Sequence, residues 1–271
     1  MISGSFSYFE EHSMFHGSLM NIMGTRFDML LIGKNRDEAE QLWNNIEEEL
    51  KHLHTMMNRF DPDSEISRIN RHAIHHFVPV SGELWNILLD CRLYHQKTFG
   101  LFDITLRDFN KVCFSQETRS LRFLQSNLSF DLGGYAKGYA MKRLINLLKE
   151  HKVDDCFVNF GNSAIFALGK HPYGDSWKVS IGNPYQNGAV LSEFSLKNRA
   201  LSTSGNSPSY TGHIVNPLSG TYNNRRMLLC VECDDPLNAE VLTTTLMVAN
   251  KSQMKEILDQ FEVIQLKEFY L

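Results

Sequence analysis

Between residues 37 and 57, apolar side chains recur at three- and four-residue steps: Ala39, Leu42, Ile46, Leu50, Leu53 and Met57. Residues spaced this way share one side of a helix, so the stretch predicts an amphipathic helix with acidic residues near its start. Immediately before it, MGTRFDMLLIG at 23–33 reads as a strand opened by a turn and closed by Gly33. The Asp-Pro step in RFDPDSEISRIN breaks the pattern, and Ser64 stands where it can cap a short helix from Glu65 to Asn70. A second helical pattern covers 83–98. Phe102–Thr105 and Leu121–Phe130 alternate weakly, as short strands do. A Gly-Gly turn then leads into a long helix over about 135–151, with Leu144, Leu147 and Leu148 sharing a face with Ala140. The runs CFVNFG, SAIFALG, WKVSIG, AVLSEFSL and RMLLCVEC read as strands separated by Gly, Asn and Pro turns. Helices are predicted near 238–249 and 252–261. Helices and strands mix without a βαβ rhythm, which predicts an α+β fold. No repeat, low-complexity tract or linker interrupts the chain.

Composition narrows the function classes. The 271 residues are 42% hydrophobic, enough for one large domain or two intimate ones, and 21% charged, which argues against bulk disorder. A net charge of −4 lacks the basic excess of a nucleic-acid binder. No stretch approaches the roughly 18 apolar residues of a membrane helix, so membrane insertion is not expected. The opening MISGSFSYFEEHSMFHGS has neither a basic n-region nor an apolar h-region, which makes the cytoplasm the default expectation. Five scattered cysteines suit a reducing compartment. Cys230 and Cys233 have C-x-x-C spacing, but strand alternation turns their sulfurs to opposite faces, so buried structural thiols are expected.

Three segments carry candidate chemistry. In Asp131-Leu-Gly-Gly-Tyr-Ala-Lys-Gly138 a strand runs into two glycines and a helix begins. Glycine lets main chain approach a ligand closely, a helix start favours anions, and Lys137 adds a positive charge. This has the physics of a phosphate cradle, although its spacing is neither that of the P-loop nor that of the dinucleotide fingerprint. The stretch from Thr203 to Pro217 is rich in hydroxyls and glycine and holds one histidine, His213, a site residue or a structural one. In Ala239–Leu246, Glu240 and Thr244 stand four apart on one helix face. A carboxylate and a hydroxyl, completed by carbonyls and water, suit Mg²⁺ rather than Zn²⁺. The run HAIHH at 72–76 reads as a solvated loop.

Taken in order, these segments resemble the ApbE family, the FAD:protein FMN transferases. The likeness rests on Met23-Gly-Thr25, Ser64–Asn70, Phe102-Asp103, Asp131–Gly138, Gly161 with Gly169, Ser204-Gly205, His213–Pro217 and Ala239–Leu246. It spans about Met23 to Ala249, which leaves residues 1–22 as an expected N-terminal extension and 23–271 as the flavin transferase domain. The resemblance implies an α+β, T-fold-related architecture, with mixed sheets and helices around a FAD cleft. It also implies Mg²⁺ on the pyrophosphate and transfer of FMN from FAD to a threonine hydroxyl of a target protein, releasing AMP. The alternatives are hydrolysis of FAD to FMN and AMP, or FAD binding with weakened catalysis. Family relatives often work outside the cytoplasmic membrane, as lipoproteins.

Position by position, the resemblance puts Met23 and Phe60 in the FAD pocket, Leu101, Phe102 and Asp103 at the adenosine end, and Asp131, Lys137 and Ile214 against FAD. The metal is expected on the Gly134 carbonyl, the side chains of Glu240 and Thr244, and the Thr243 carbonyl. His213 and Asp131 are both candidates to take the acceptor proton. Four positions depart from the family pattern. Glu240 replaces an aspartate, Asn162 follows Gly161 in place of a second glycine, Asn206 replaces an acidic residue, and Phe60 replaces a tyrosine.

Overall fold

The computed structural model describes residues 2–271. The first half runs β1 (Ser3–Phe9), β2 (Met14–Ile22), β3 (Thr25–Ile32), α1 (Arg36–Met57), α2 (Glu65–His72), β4 (Val78–Pro79), α3 (Gly82–Lys97), β5 (Val112–Ser115), β6 (Ser120–Phe123) and α4 (Ala136–Glu150). The second half is mostly strands: β7 (Asp155–Phe160), β8 (Ala164–Leu168), β9 (Trp177–Gly182), β10 (Val190–Leu196), β11 (Arg199–Gly205), β12 (Val215–Asn216), β13 (Thr221–Tyr222) and β14 (Met227–Cys233). Two helices, α5 (Pro236–Leu246) and α6 (Lys251–Leu258), and a last strand, β15 (Gln265–Tyr270), complete the fold.

One eight-stranded sheet, ordered β1-β2-β3-β7-β8-β11-β14-β15, organises the α+β architecture, and each neighbouring pair in it is antiparallel. Alternation along its strands feeds cores on both of its faces. Phe27, Met29, Leu31, Val158 and Phe160 meet the helices. On the other face Ile165, Leu201, Leu228 and Cys230 pack against Trp177, Val179 and Phe194 of the separate β9–β10 hairpin. Cys233 faces a third cluster with Leu242 and Leu246. The two cysteines of the C-x-x-C run therefore lie in different cores. Burial pushes both thiols up, that of Cys233 to about 12. His72, His75 and His76 are exposed.

The helix expectations hold closely. Asn35 and Glu38 form a reciprocal capping box at the start of α1, and the Ser64 hydroxyl accepts from the Ser67 N–H at 3.1 Å at the start of α2. Two strand expectations need correction, and some strands were not expected. Phe102–Thr105 is a turn, because Asp103 gathers the local N–H groups. The strand expected over Leu121–Phe130 ends at Phe123; beyond it Asn70 receives the Phe130 N–H at 2.7 Å. β11, β15 and the β1–β2 hairpin carry no strong alternation, yet all are strands of the main sheet. Residues 3–22 are thus continuous with the domain, and Phe15, Leu19 and Ile22 are fully buried in its core.

Candidate active site

The site forms where α4 and α5 meet above the sheet. The turn before α4 is shaped by Asp131: its Oδ1 accepts from the Gly133 N–H at 2.9 Å, and its Oδ2 pairs with Arg59 Nε at 3.2 Å. The Arg59 guanidinium also lies 4.4 Å from the ring centre of Phe60, whose side chain is 81% exposed. α4 starts at Tyr135 without a side-chain cap, which leaves its first N–H groups without a capping oxygen from that residue.

α5 is fixed by the Asp235 carboxylate, which accepts from the Leu237 N–H, and by Pro236 in its first turn. A methyl group built on Gly134 would lie 3.2 Å from Thr244 Oγ1, so this glycine of the turn faces the hydroxyl of α5 directly. Lys137 reaches across the same junction to Glu240 Oε1. Ser202 of β11 donates to Glu240 Oε2 at 2.9 Å and lies 3.1 Å from Thr243 Oγ1. The hydroxyls of Thr243 and Thr244 both donate back to the Glu240 carbonyl, at 3.0 and 3.3 Å. Glu240 is 5% exposed at its side chain and Lys137 18%, so the ion pair is largely desolvated.

The oxygens of Gly134, Glu240 and Thr244 fit the donor set of a hard divalent cation. The fit carries a condition. Both carboxylate oxygens of Glu240 already have protein donors, Lys137 on Oε1 and Ser202 on Oε2, so a cation there competes with these contacts. Thr243 is fully buried, its hydroxyl beside Ser202 and its carbonyl accepting from the Met247 N–H at 3.3 Å.

The other expected residues fall around this junction in different ways. Met23 has a left-handed backbone and sends its N–H to His54 Nδ1 at 2.9 Å, which ties the β2–β3 turn to the last turn of α1. Burial holds the His54 imidazole below its ordinary pKa, as suits an acceptor. Leu101, Phe102 and Ile214 are buried core residues. Asp103 accepts from the Thr105 N–H at 2.7 Å, the Thr105 hydroxyl at 2.6 Å and the Phe109 N–H at 2.9 Å. Its carboxylate is committed to its own turn. His213 lies on the loop between β11 and β12, its ring stacked on Tyr210 at 4.0 Å. Partial burial lowers its pKa. Among the described residues, no hydrogen bond or ion pair joins it to Asp131.

Three partners escaped the sequence: Ser202 on Glu240, Arg59 on Asp131, and His54 on Met23. Ser202 had a signal, since it alternates with Leu201 and Thr203 in a strand, but the polar RALSTSG run gives no apolar period.

The fold is that of solved flavin transferases. It superposes on flavin transferase ApbE from Vibrio cholerae with a TM-score of 0.80 at 19% identity, covering 96% of this chain and 97% of that one. The ApbE protein of Thermotoga maritima gives a TM-score of 0.76 at 19% identity, covering 96% and 91%. The chain matches the ApbE family over residues 23–266 and belongs to it. In sequence it is similar to the FAD:protein FMN transferase of Chlamydia muridarum, 26% identical over 219 residues, or 68% of this chain and 66% of that protein. A Klebsiella pneumoniae protein of the same name is 22% identical over 276 residues, 87% of this chain and 79% of its own length. The chain thus spans about two thirds of the Chlamydia relative's length. No helix among the described residues is long and apolar enough to cross a membrane.

Proposed function

We propose that this protein transfers FMN from FAD to a threonine hydroxyl of a target protein and releases AMP, with Mg²⁺ as cofactor. The observation that carries the reading is the meeting of Gly134 with Thr244 and of Lys137 with Glu240 across one helix junction. Family membership and the names of the relatives support the same activity.

The chain's own residues divide the work. The turn at Gly133 and Gly134 brings main chain against the diphosphate, and the start of α4 adds its partial positive charge. Lys137, released from Glu240, balances charge on the phosphoryl oxygens. Gly134, Glu240, Thr244 and the Thr243 carbonyl would hold the metal, which supplies Lewis-acid stabilisation of the diphosphate. Met23 and Phe60 border the flavin, and the turn at 101–103 borders the adenosine. The new bond joins the threonine oxygen to the FMN phosphorus. The bond from that phosphorus to the bridging oxygen breaks, and AMP leaves with the electron pair.

Of the two candidate bases, we favour His213. Both Asp131 oxygens are already engaged, by Arg59 and by the Gly133 N–H, whereas burial lowers the His213 pKa and favours the neutral imidazole that can accept a proton. Incubation with FAD, Mg²⁺ and a target protein should yield AMP and a covalently flavinylated product in equal amounts. Steady multiple-turnover AMP release without any acceptor would instead make the protein a FAD pyrophosphatase. FAD bound without turnover would make it a flavin-binding protein.

A further inference from the structure

The face of the main sheet opposite the ion pair carries a groove of about 810 Å³ that the reaction as described leaves unused. One wall is the run Lys178–Gly182 of β9. Five consecutive residues line it, so the groove follows the strand lengthwise instead of touching one of its faces. Among the described residues, β9 pairs only with β10. On its other edge, every second residue therefore turns an N–H and a C=O toward open space, which is the template that strand addition uses.

The opposite wall comes from the end of the main sheet nearest the candidate site. It includes Asn159, Gly161 and Asn162 on one side and Thr203, Gly205 and Ser207 on the other. Gly161 rests on the start of β3, just after the β2–β3 turn: its N–H donates to the Arg26 carbonyl at 2.8 Å, and a methyl on it would lie 2.6 Å from Thr25 Oγ1. Ser207 opens the loop that leads to His213. The groove therefore ends at the same two segments that border the site, with Ser202 facing Glu240 and its neighbour Thr203 facing the groove.

Its chemistry is selective. The floor is apolar, from Phe157, Ile165 and Leu228, and the rim is amide and hydroxyl. Lys178 is the one ionic side chain among the lining residues, and no carboxylate lines the groove. An extended segment of about five residues matches a strand edge of this length.

We propose that this groove binds the acceptor protein, taking an extended, neutral-to-acidic segment as an added strand beside β9 so that its threonine rounds the sheet end at Gly205–Ser207. The assignment of the occupant as acceptor rests on the transferase reading; the groove's preference for such a segment does not.

Two fluorescein-labelled twelve-residue peptides of Gly, Ala and Ser test it, each with one central threonine, one bearing three aspartates and the other three lysines. Binding is followed by anisotropy without FAD, and hydrogen exchange locates the bound peptide. The aspartate peptide should bind the native protein and protect the amides of Lys178–Gly182. Lys178→Glu, at an exposed position, should weaken that peptide by about tenfold or more, favour the lysine peptide and leave FAD affinity within about twofold. Binding of neither peptide, protection of another strand edge, or equal affinity in Lys178→Glu would overturn the proposal. Loss of FAD affinity in that variant would also overturn it, by giving the groove to the nucleotide. If the peptide binds along β9 but FAD never flavinylates it or any target, the groove stands and the transferase reading falls.

Discussion

Gly138 of α4 and Glu240 of α5 are so close that a methyl group on the glycine would sit 2.8 Å from the glutamate Cβ. The same methyl would lie 2.9 Å from Leu237 Cα and 3.0 Å from the Pro236 carbonyl oxygen. Main-chain atoms cannot yield as a flexible side chain does, so glycine at this position sets the spacing of the two helices. Gly138→Ala should cost about 1–3 kcal/mol through overpacking. A lower urea midpoint, with weaker FAD binding as α4 and α5 separate, checks it.

One residue earlier, Lys137 holds the carboxylate of the proposed metal site. Lys137→Met removes the cation from a nearly buried glutamate, and an abandoned buried charge costs about 3 kcal/mol. The variant should melt lower in chelator and recover with Mg²⁺. Its Mn²⁺ affinity without FAD, measured by electron paramagnetic resonance, should rise at least about tenfold, since two charges no longer repel across the junction. Unchanged Mn²⁺ affinity would show that lysine and metal do not compete.

Ser202→Ala tests the other oxygen of the same carboxylate. The hydroxyl is buried and donates to Glu240 Oε2 at 2.9 Å, so its loss should cost about 1.5–3 kcal/mol. Double-mutant cycles with Lys137→Met should be non-additive, because both donors serve one acceptor. Additive costs would mean that the two contacts are energetically separate.

If His213 is the proton acceptor, as proposed, it sets the pH dependence of the activity. Burial sets its pKa below the ordinary 6.5, and it accepts the proton only in its neutral form. Flavin transfer should therefore be level above neutrality and fall as the pH drops through the lowered pKa. His213→Ala should reduce kcat by about 10²–10⁴-fold with FAD affinity unchanged and should abolish that acidic limb. A variant that keeps the limb would assign the proton elsewhere.

The sequence revealed its elements wherever local chemistry decides them. The apolar stripe of α1 and the Ser64 cap are complete within a turn or two of chain, and both appear where the pattern puts them. β11 and β1 escape because their neighbours, not their own residues, make them strands: one is polar where Ser202 turns to Glu240, and the other is an exposed edge. Phe102–Thr105 misleads for the opposite reason. Alternation suggests a strand, but Asp103 bonds its own downstream N–H groups and closes a turn. At the site, the nearness of Gly134 and Thr244 was legible through the family likeness. Arg59, Ser202 and His54 were not, since each meets its partner only after the chain has folded across many residues.

The placement of β2 has a practical consequence. A truncated protein starting at Met23 would keep the whole stretch matched to the family, yet it would strip β3 of the neighbour that pairs with it from Thr25 to Ile32. Trp43 of α1 would lose Phe15, whose ring centre lies 5.8 Å from its own. The bared hydrogen-bonding margin of β3 would then recruit other molecules into aggregates, so boundaries drawn from family homology alone would give an insoluble product.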